Sequence, residues 1–193
     1  MNHLAHIYLS GEFSELMLGN FIADSVKGAE INKFSEGIKK GIKLHRQIDE
    51  FTDKHPIVEQ SKQRLRPAYA KYSGVIVDIF YDHFLALHWN DYSNVPLADY
   101  AAIVYNYIEK HLPELPERVN HFFPYMVEHN WLVNYAGYDG IEKVLEGMSR
   151  RASFDSHMNL AIADLRKDHA LYEKEFTLFF PELIAFVKQA REQ

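Results

Sequence analysis

An all-α fold is predicted by three observations. Apolar residues recur at helical spacing through most segments, and proline and glycine fall where helices start and stop. The β-branched run Val75-Ile76-Val77, which alone would suit a strand, continues into Phe84-Leu85-Ala86-Leu87, longer than an ordinary strand.

Taken in order, residues 2–9 and 14–26 read as two short helices, with Gly11 marking their turn and Gly28 stopping the second. From Phe34 to Thr52, Ile38, Ile42 and Ile48 form one stripe and Lys39, Lys43 and Arg46 another, which predicts an amphipathic helix. Pro56 suits the first turn of the next helix, and Pro67 is expected to interrupt it. Ala68 to Trp89 is apolar on most sides, as a buried central helix would be. Pro96 opens a helix to about His111, closed by Pro113 and Pro116. Further helices are predicted over 121–135, 139–149 and 155–190. The last is expected to break near Pro181, and Leu165, Tyr172, Phe176 and Phe179 supply its core stripe. No repeat or long linker divides the chain, so residues 1–193 are expected to form a single compact multi-helix domain.

Composition narrows the function. The 193 residues are 47% hydrophobic and 25% charged, as in one soluble globular domain. Absence of cysteine removes disulfides, thiolate zinc sites and cysteine nucleophiles, leaving oxygen and imidazole as ligands and pointing to the cytoplasm. The N-terminus lacks the pattern of a secretory signal, and no apolar run reaches membrane-spanning length. A formal net charge of −6 argues against general nucleic-acid binding.

Ionisable residues where helices should be apolar carry the chemistry. Buried carboxylates and imidazoles need a counter-charge, a hydrogen-bond partner or a metal. His45 and Asp49 lie one turn apart on the flank of the Ile38–Ile42 ridge, at ligand spacing, although a mutually satisfied pair would show the same pattern. Asp78 and Asp82 also lie one turn apart, in the helix read as buried. They would repel there unless a cation lay between them. His83 points about 100° round from Asp82. Asp24 sits late in its helix, where a negative charge opposes the dipole. His6 reads equally as a core histidine or as a ligand. There is no His-Glu-x-x-His helix, Gly-x-Ser-x-Gly turn or Walker loop. The clusters together point to a divalent-metal hydrolase, and ligand softness admits Mn²⁺, Mg²⁺, Fe or Zn.

Asn2-His3-Leu4-Ala5-His6, Gly19-Asn20 with Ala23-Asp24, His45-Arg46-Gln47-Ile48-Asp49 followed by Thr52-Asp53, and Asp78-Ile79-Phe80-Tyr81-Asp82-His83-Phe84 ending in His88-Trp89 resemble the acyl carrier protein phosphodiesterase family. Weaker similarity continues through Trp131-Leu132-Val133, residues 147–151 and Phe180-Pro181. The resemblance implies an all-helical, divergent HD-phosphohydrolase-like enzyme, with manganese the usual cofactor and Mg²⁺ or Fe²⁺ as substitutes. It would hydrolyse the phosphodiester joining 4′-phosphopantetheine to a serine of holo-acyl carrier protein. It also implies metal binding and catalysis by Asp24, His45, Asp49, Asp82 and His83, with His6 and Asp78 as supporting or additional ligands. On that assignment Asp82→Asn removes a ligand and leaves the fold intact. No His-Asp dipeptide occurs, so the ligand order of ordinary HD enzymes does not transfer.

The family's carrier proteins are acidic helical bundles, and the Lys39, Lys43 and Arg46 stripe lies about a quarter turn from His45 and Asp49. It is the expected docking rim. Two alternatives share these features: a hydrolase of nucleotides or other small phosphoesters, and a noncatalytic carrier-protein binding module. The sequence does not fix the oligomeric state.

Overall fold

The structure, a computed structural model, describes residues 1–191 and contains eleven α-helices and, among the described residues, no strand. They are α1 (His3–Leu9), α2 (Glu15–Ile22), α3 (Glu36–Lys54), α4 (Pro56–Tyr69), α5 (Ser73–Leu87), α6 (Leu97–His111), α7 (Glu117–Glu128), α8 (Trp131–Asn134), α9 (Tyr138–Arg151), α10 (Ala161–Lys167) and α11 (His169–Arg191). No helix among the described residues is long and apolar enough to cross a membrane.

The all-round apolar segment is the hub, as its pattern requires. Every residue of α5 from Ile76 to Ala86 except Asp78 is buried, and α1, α4, α9 and α11 pack around it. Helix α3 is strongly amphipathic: Ile38, Ile42 and Ile48 are buried while Lys43 and Arg46 are exposed. Ser35 caps its start by accepting from the Ile38 amide, and Pro56 opens α4 as expected.

Helices α2 and α3 cross backbone against backbone. A Cβ on Gly19 would lie 2.0 Å from the Ile38 carbonyl oxygen, and one on Gly41 would lie 2.1 Å from that of Leu16. Only glycine permits this approach, which brings the backbone of Asn20 against His45.

The boundaries differ from expectation where proline was overweighted. Pro67 does not interrupt α4, which runs two residues further and ends where Ala70 adopts φ 45°. Pro181 does not break α11. The interruption comes at Asp168, between α10 and α11. Proline removes one backbone bond, and the buried Phe179, Phe180 and Leu183 hold α11 together across that gap. The 121–135 helix starts earlier, at Glu117, and divides at Asn130, whose φ is 42°. The 14–26 helix ends at Ile22 and tightens into a 3-10 turn over Ala23–Ser25, which carries Asp24.

Candidate metal centre

Four of the expected residues meet where α1, α2 and α3 converge. His45 Nε2 lies 3.1 Å from Asp49 Oδ2 and 3.3 Å from Asp24 Oδ1. His6 Nε2 lies 3.2 Å from Asp49 Oδ1. The two imidazoles stack with ring centres 3.8 Å apart and planes 13° from parallel. One donor atom each from His6, His45 and Asp49 falls within 4.8 Å of the others. Both histidines are buried, Asp49 is 40% exposed, and Asp24 stands open to solvent at 78%.

Asn20 organises the pair and was not singled out by its chemistry, although a polar residue in a run as apolar as α2 was a signal. It is fully buried. Its backbone oxygen receives His45 Nδ1–H at 2.8 Å. Its side-chain nitrogen donates to the His6 carbonyl and to Ser10 Oγ, which leaves Oδ1 to receive His6 Nδ1–H at 2.8 Å. Each ring is thereby fixed with Nε2 turned toward Asp49, the orientation that outer hydrogen bonds give to metal-binding imidazoles.

This arrangement fits a cation. Burial, reinforced by the neighbouring His45, lowers the His6 pKa to about 4, so His6 is neutral and its Nε2 is unprotonated. That nitrogen faces Asp49 Oδ1 and the Met1 carbonyl oxygen, both at 3.2 Å. All three are acceptors, and a positive ion between them removes the conflict. Burial also opposes a charge on His45, but hydrogen bonds to Asp24 and Asp49 outweigh it and raise its pKa to about 9. Burial would raise the pKa of Asp49, yet the hydrogen bond from His45 and the nearby Met1 ammonium hold it well below the usual carboxylate range. The nitrogen and oxygen donors suit Mn²⁺, Fe²⁺ or Zn²⁺.

The structure separates Asp82 and His83 from this group. Both oxygens of Asp82 are taken by the start of α1, accepting from the amides of Leu4 (2.7 Å), Asn2 (3.1 Å) and Ala5 (3.4 Å). The repulsion expected between Asp78 and Asp82 is met without a metal: Asp78 Oδ1 lies 2.9 Å from the Met1 α-amino nitrogen, and Asp82 caps a helix. Met1 is also 3.5 Å from Asp49, so Asp78 borders the cluster through that ammonium. His83 lies on another face of α5, where its Nδ1–H donates to the Tyr135 carbonyl at 2.7 Å.

Beside Asp24, the half-buried rings of His3, Phe122 and Trp131 form an aromatic wall: Phe122 lies 5.7 Å from His3 and 6.2 Å from Trp131, with the latter planes 6° apart. Of the docking stripe, Lys39 is tied to Glu36 at 2.9 Å. Lys43 and Arg46 are exposed and have no ion-pair partner among the described residues. A cavity of about 710 Å³ at the far end of α1, lined by Tyr8, Leu16, Tyr100 and Arg191 among others, includes none of the cluster residues.

Fold and cluster define an all-helical protein whose His6, His45 and Asp49 donors lie close enough together to hold a metal ion. Residues 1–183 match the family described as Acyl carrier protein phosphodiesterase, and the chain belongs to that family. It is 33% identical over 187 residues to the acyl carrier protein phosphodiesterase of Photorhabdus laumondii, covering 95% of this chain and 93% of that one. The corresponding protein of Enterobacter sp. is 32% identical over 190 residues, covering 97% and 98%, and that of Escherichia coli O157:H7 is 33% identical over 187, covering 96% of each. No solved structure matches the chain.

Proposed function

We propose that the protein hydrolyses the phosphodiester linking 4′-phosphopantetheine to a serine of holo-acyl carrier protein, with a divalent cation, manganese first, held by His6, His45, Asp49 and Asp24. The observation that carries this reading is the confrontation of neutral His6 with Asp49, poised beside His45 in a chain that belongs to this family throughout its length. The likeness to HD phosphohydrolases rests on this histidine and aspartate chemistry and not on a His-Asp dipeptide. The reaction is placed in the cytoplasm, in keeping with a chain that has no cysteine.

A bound cation would supply charge stabilisation at the phosphoryl oxygens and make water more acidic. The rest belongs to the chain. Asn20 keeps both imidazoles in register, and the solvent-open side at Asp24 admits the phosphodiester. The aromatic wall of Phe122 and Trp131 offers an apolar surface for the pantoyl methyl groups. The water oxygen bonds to phosphorus, the bond from phosphorus to serine Oγ breaks, and the proton that the water gives up passes to Oγ. A histidine or aspartate of the cluster that does not hold the ion would carry that proton. The products are apo-carrier protein and 4′-phosphopantetheine.

Mass spectrometry of holo-carrier protein before and after incubation tests the reading. Chelation is expected to abolish release of phosphopantetheine and Mn²⁺ to restore it, whereas full activity in rigorously metal-free protein overturns the mechanism. Activity with Mg²⁺ or Fe²⁺ would revise only the ion. Cleavage of small phosphoesters with no preference for the carrier would favour the general phosphoesterase. Binding without release would favour the docking module.

The carrier is proposed to dock on Lys43 and Arg46, beside His45 on α3. Lys43→Glu with Arg46→Glu should slow association with the acidic carrier by about tenfold or more at low salt. Turnover of a minimal phosphodiester should change much less. Normal processing of holo-carrier protein at low salt would move the docking surface elsewhere.

A further inference from the structure

A second group of imidazole and carboxylate side chains lies around another face of α5. His83 is 2% exposed, and with its Nδ1–H given to Tyr135 its Nε2 is left as a buried acceptor with no partner among the described residues. This is the same orientation that His45 receives from Asn20: a ring held by a backbone carbonyl, with the other nitrogen facing inward. The titratable groups around His83 are His169, His88 and Glu173. His169, the first residue of α11, places its ring edge-on to His83 with centres 6.0 Å apart, and Tyr138 stacks on His83 at 5.5 Å. One turn along α11, Glu173 reaches His88 Nε2 at 2.7 Å and His169 Nδ1 at 3.8 Å.

We propose that His83, His169 and Glu173, with His88 as a fourth donor, form a second divalent-cation site of zinc-type preference that ties α11 to the end of α5. The donor set is three imidazoles and one carboxylate, drawn from two helices and the α5 cap, and imidazole-rich sites favour zinc over manganese or magnesium. Two imidazoles sharing a tetrahedral zinc bring their ring centres to about 5 Å. The two rings stand 6.0 Å apart and the donor atoms of the set do not all lie within 4.8 Å of one another, so binding requires His169 and Glu173, 28% and 34% exposed, to move inward. An ion there would satisfy the orphaned His83 Nε2, which nothing else in the structure does. This inference does not depend on the reaction assigned to the first site.

The test is metal content. Full-length protein stripped with chelator, reloaded with Zn²⁺ and desalted is expected to retain two ions per chain. His45→Ala should retain one, at the second site; His169→Ala and Glu173→Gln should each retain one, at the first. Zinc should raise the Tm of His45→Ala and leave that of the His45→Ala, Glu173→Gln double variant unmoved. Glu173→Gln is near-isosteric and keeps the test valid if His169→Ala fails to fold. Equal ion content in the wild-type chain and in Glu173→Gln overturns the proposal.

Discussion

His45→Ala will leave a folded helical protein that holds no ion between α1, α2 and α3 and releases phosphopantetheine at least about 10³-fold more slowly than the parent chain. The side chain sits at the centre of the cluster, meeting Asp24, Asp49 and the His6 ring at once. Its loss removes one nitrogen donor and the group that holds Asp49 in place. Circular dichroism, manganese content and product release on one preparation check this, and normal metal with normal release would remove His45 from the site. Asp49→Asn should behave alike.

The pH response of the chelated protein gives an independent reading of the same group. His45 has a folded-state pKa raised from 6.5 to about 9, so its protonated form favours the folded state. That contribution is complete below about 6.5, declines as pH rises, and is gone above about 9. Thermal unfolding of chelated wild-type protein should show the decline across this window, and His45→Ala should lack it. Since an ion needs the unprotonated nitrogen, metal affinity should rise with pH over the same range.

The second large effect is on stability. Asp82→Ala is expected to destabilise the protein by about 3 kcal/mol, because three amides at the start of α1 lose a buried acceptor. For a chain of this size that is a fall in Tm of roughly 6–12 °C. Asp82→Asn should also destabilise, because its amide nitrogen would meet a backbone N–H where an oxygen now accepts. The sequence argument expected that variant to leave the fold intact and strip a ligand. A stable Asp82→Asn chain that loses the ion from the first site would restore that assignment. Lowered Tm with one ion retained between His6, His45 and Asp49 would bear out the cap.

Sequence periodicity determined the all-helical class, the buried central helix and the amphipathic α3. It also placed His45 and Asp49 on one flank of that helix, because spacing along a helix fixes direction around its axis. The family motifs pointed to Asp24 and His6, which the fold brings to the same place. Spacing alone could not assign partners across helices. Asp78 and Asp82 looked like two unpaired carboxylates because their partners, the Met1 ammonium and the α1 amides, are about 80 residues away in sequence. His83, adjacent to Asp82 in the chain, points to another face of α5 because neighbouring helical residues diverge by about 100°. The part Asn20 plays was equally hidden, since it depends on the glycine-permitted crossing of α2 and α3 that sets its carbonyl against His45. The sequence by itself determined which helices form and which chemistry they carry; only the tertiary structure decided which acid meets which imidazole, because helix crossings set those distances.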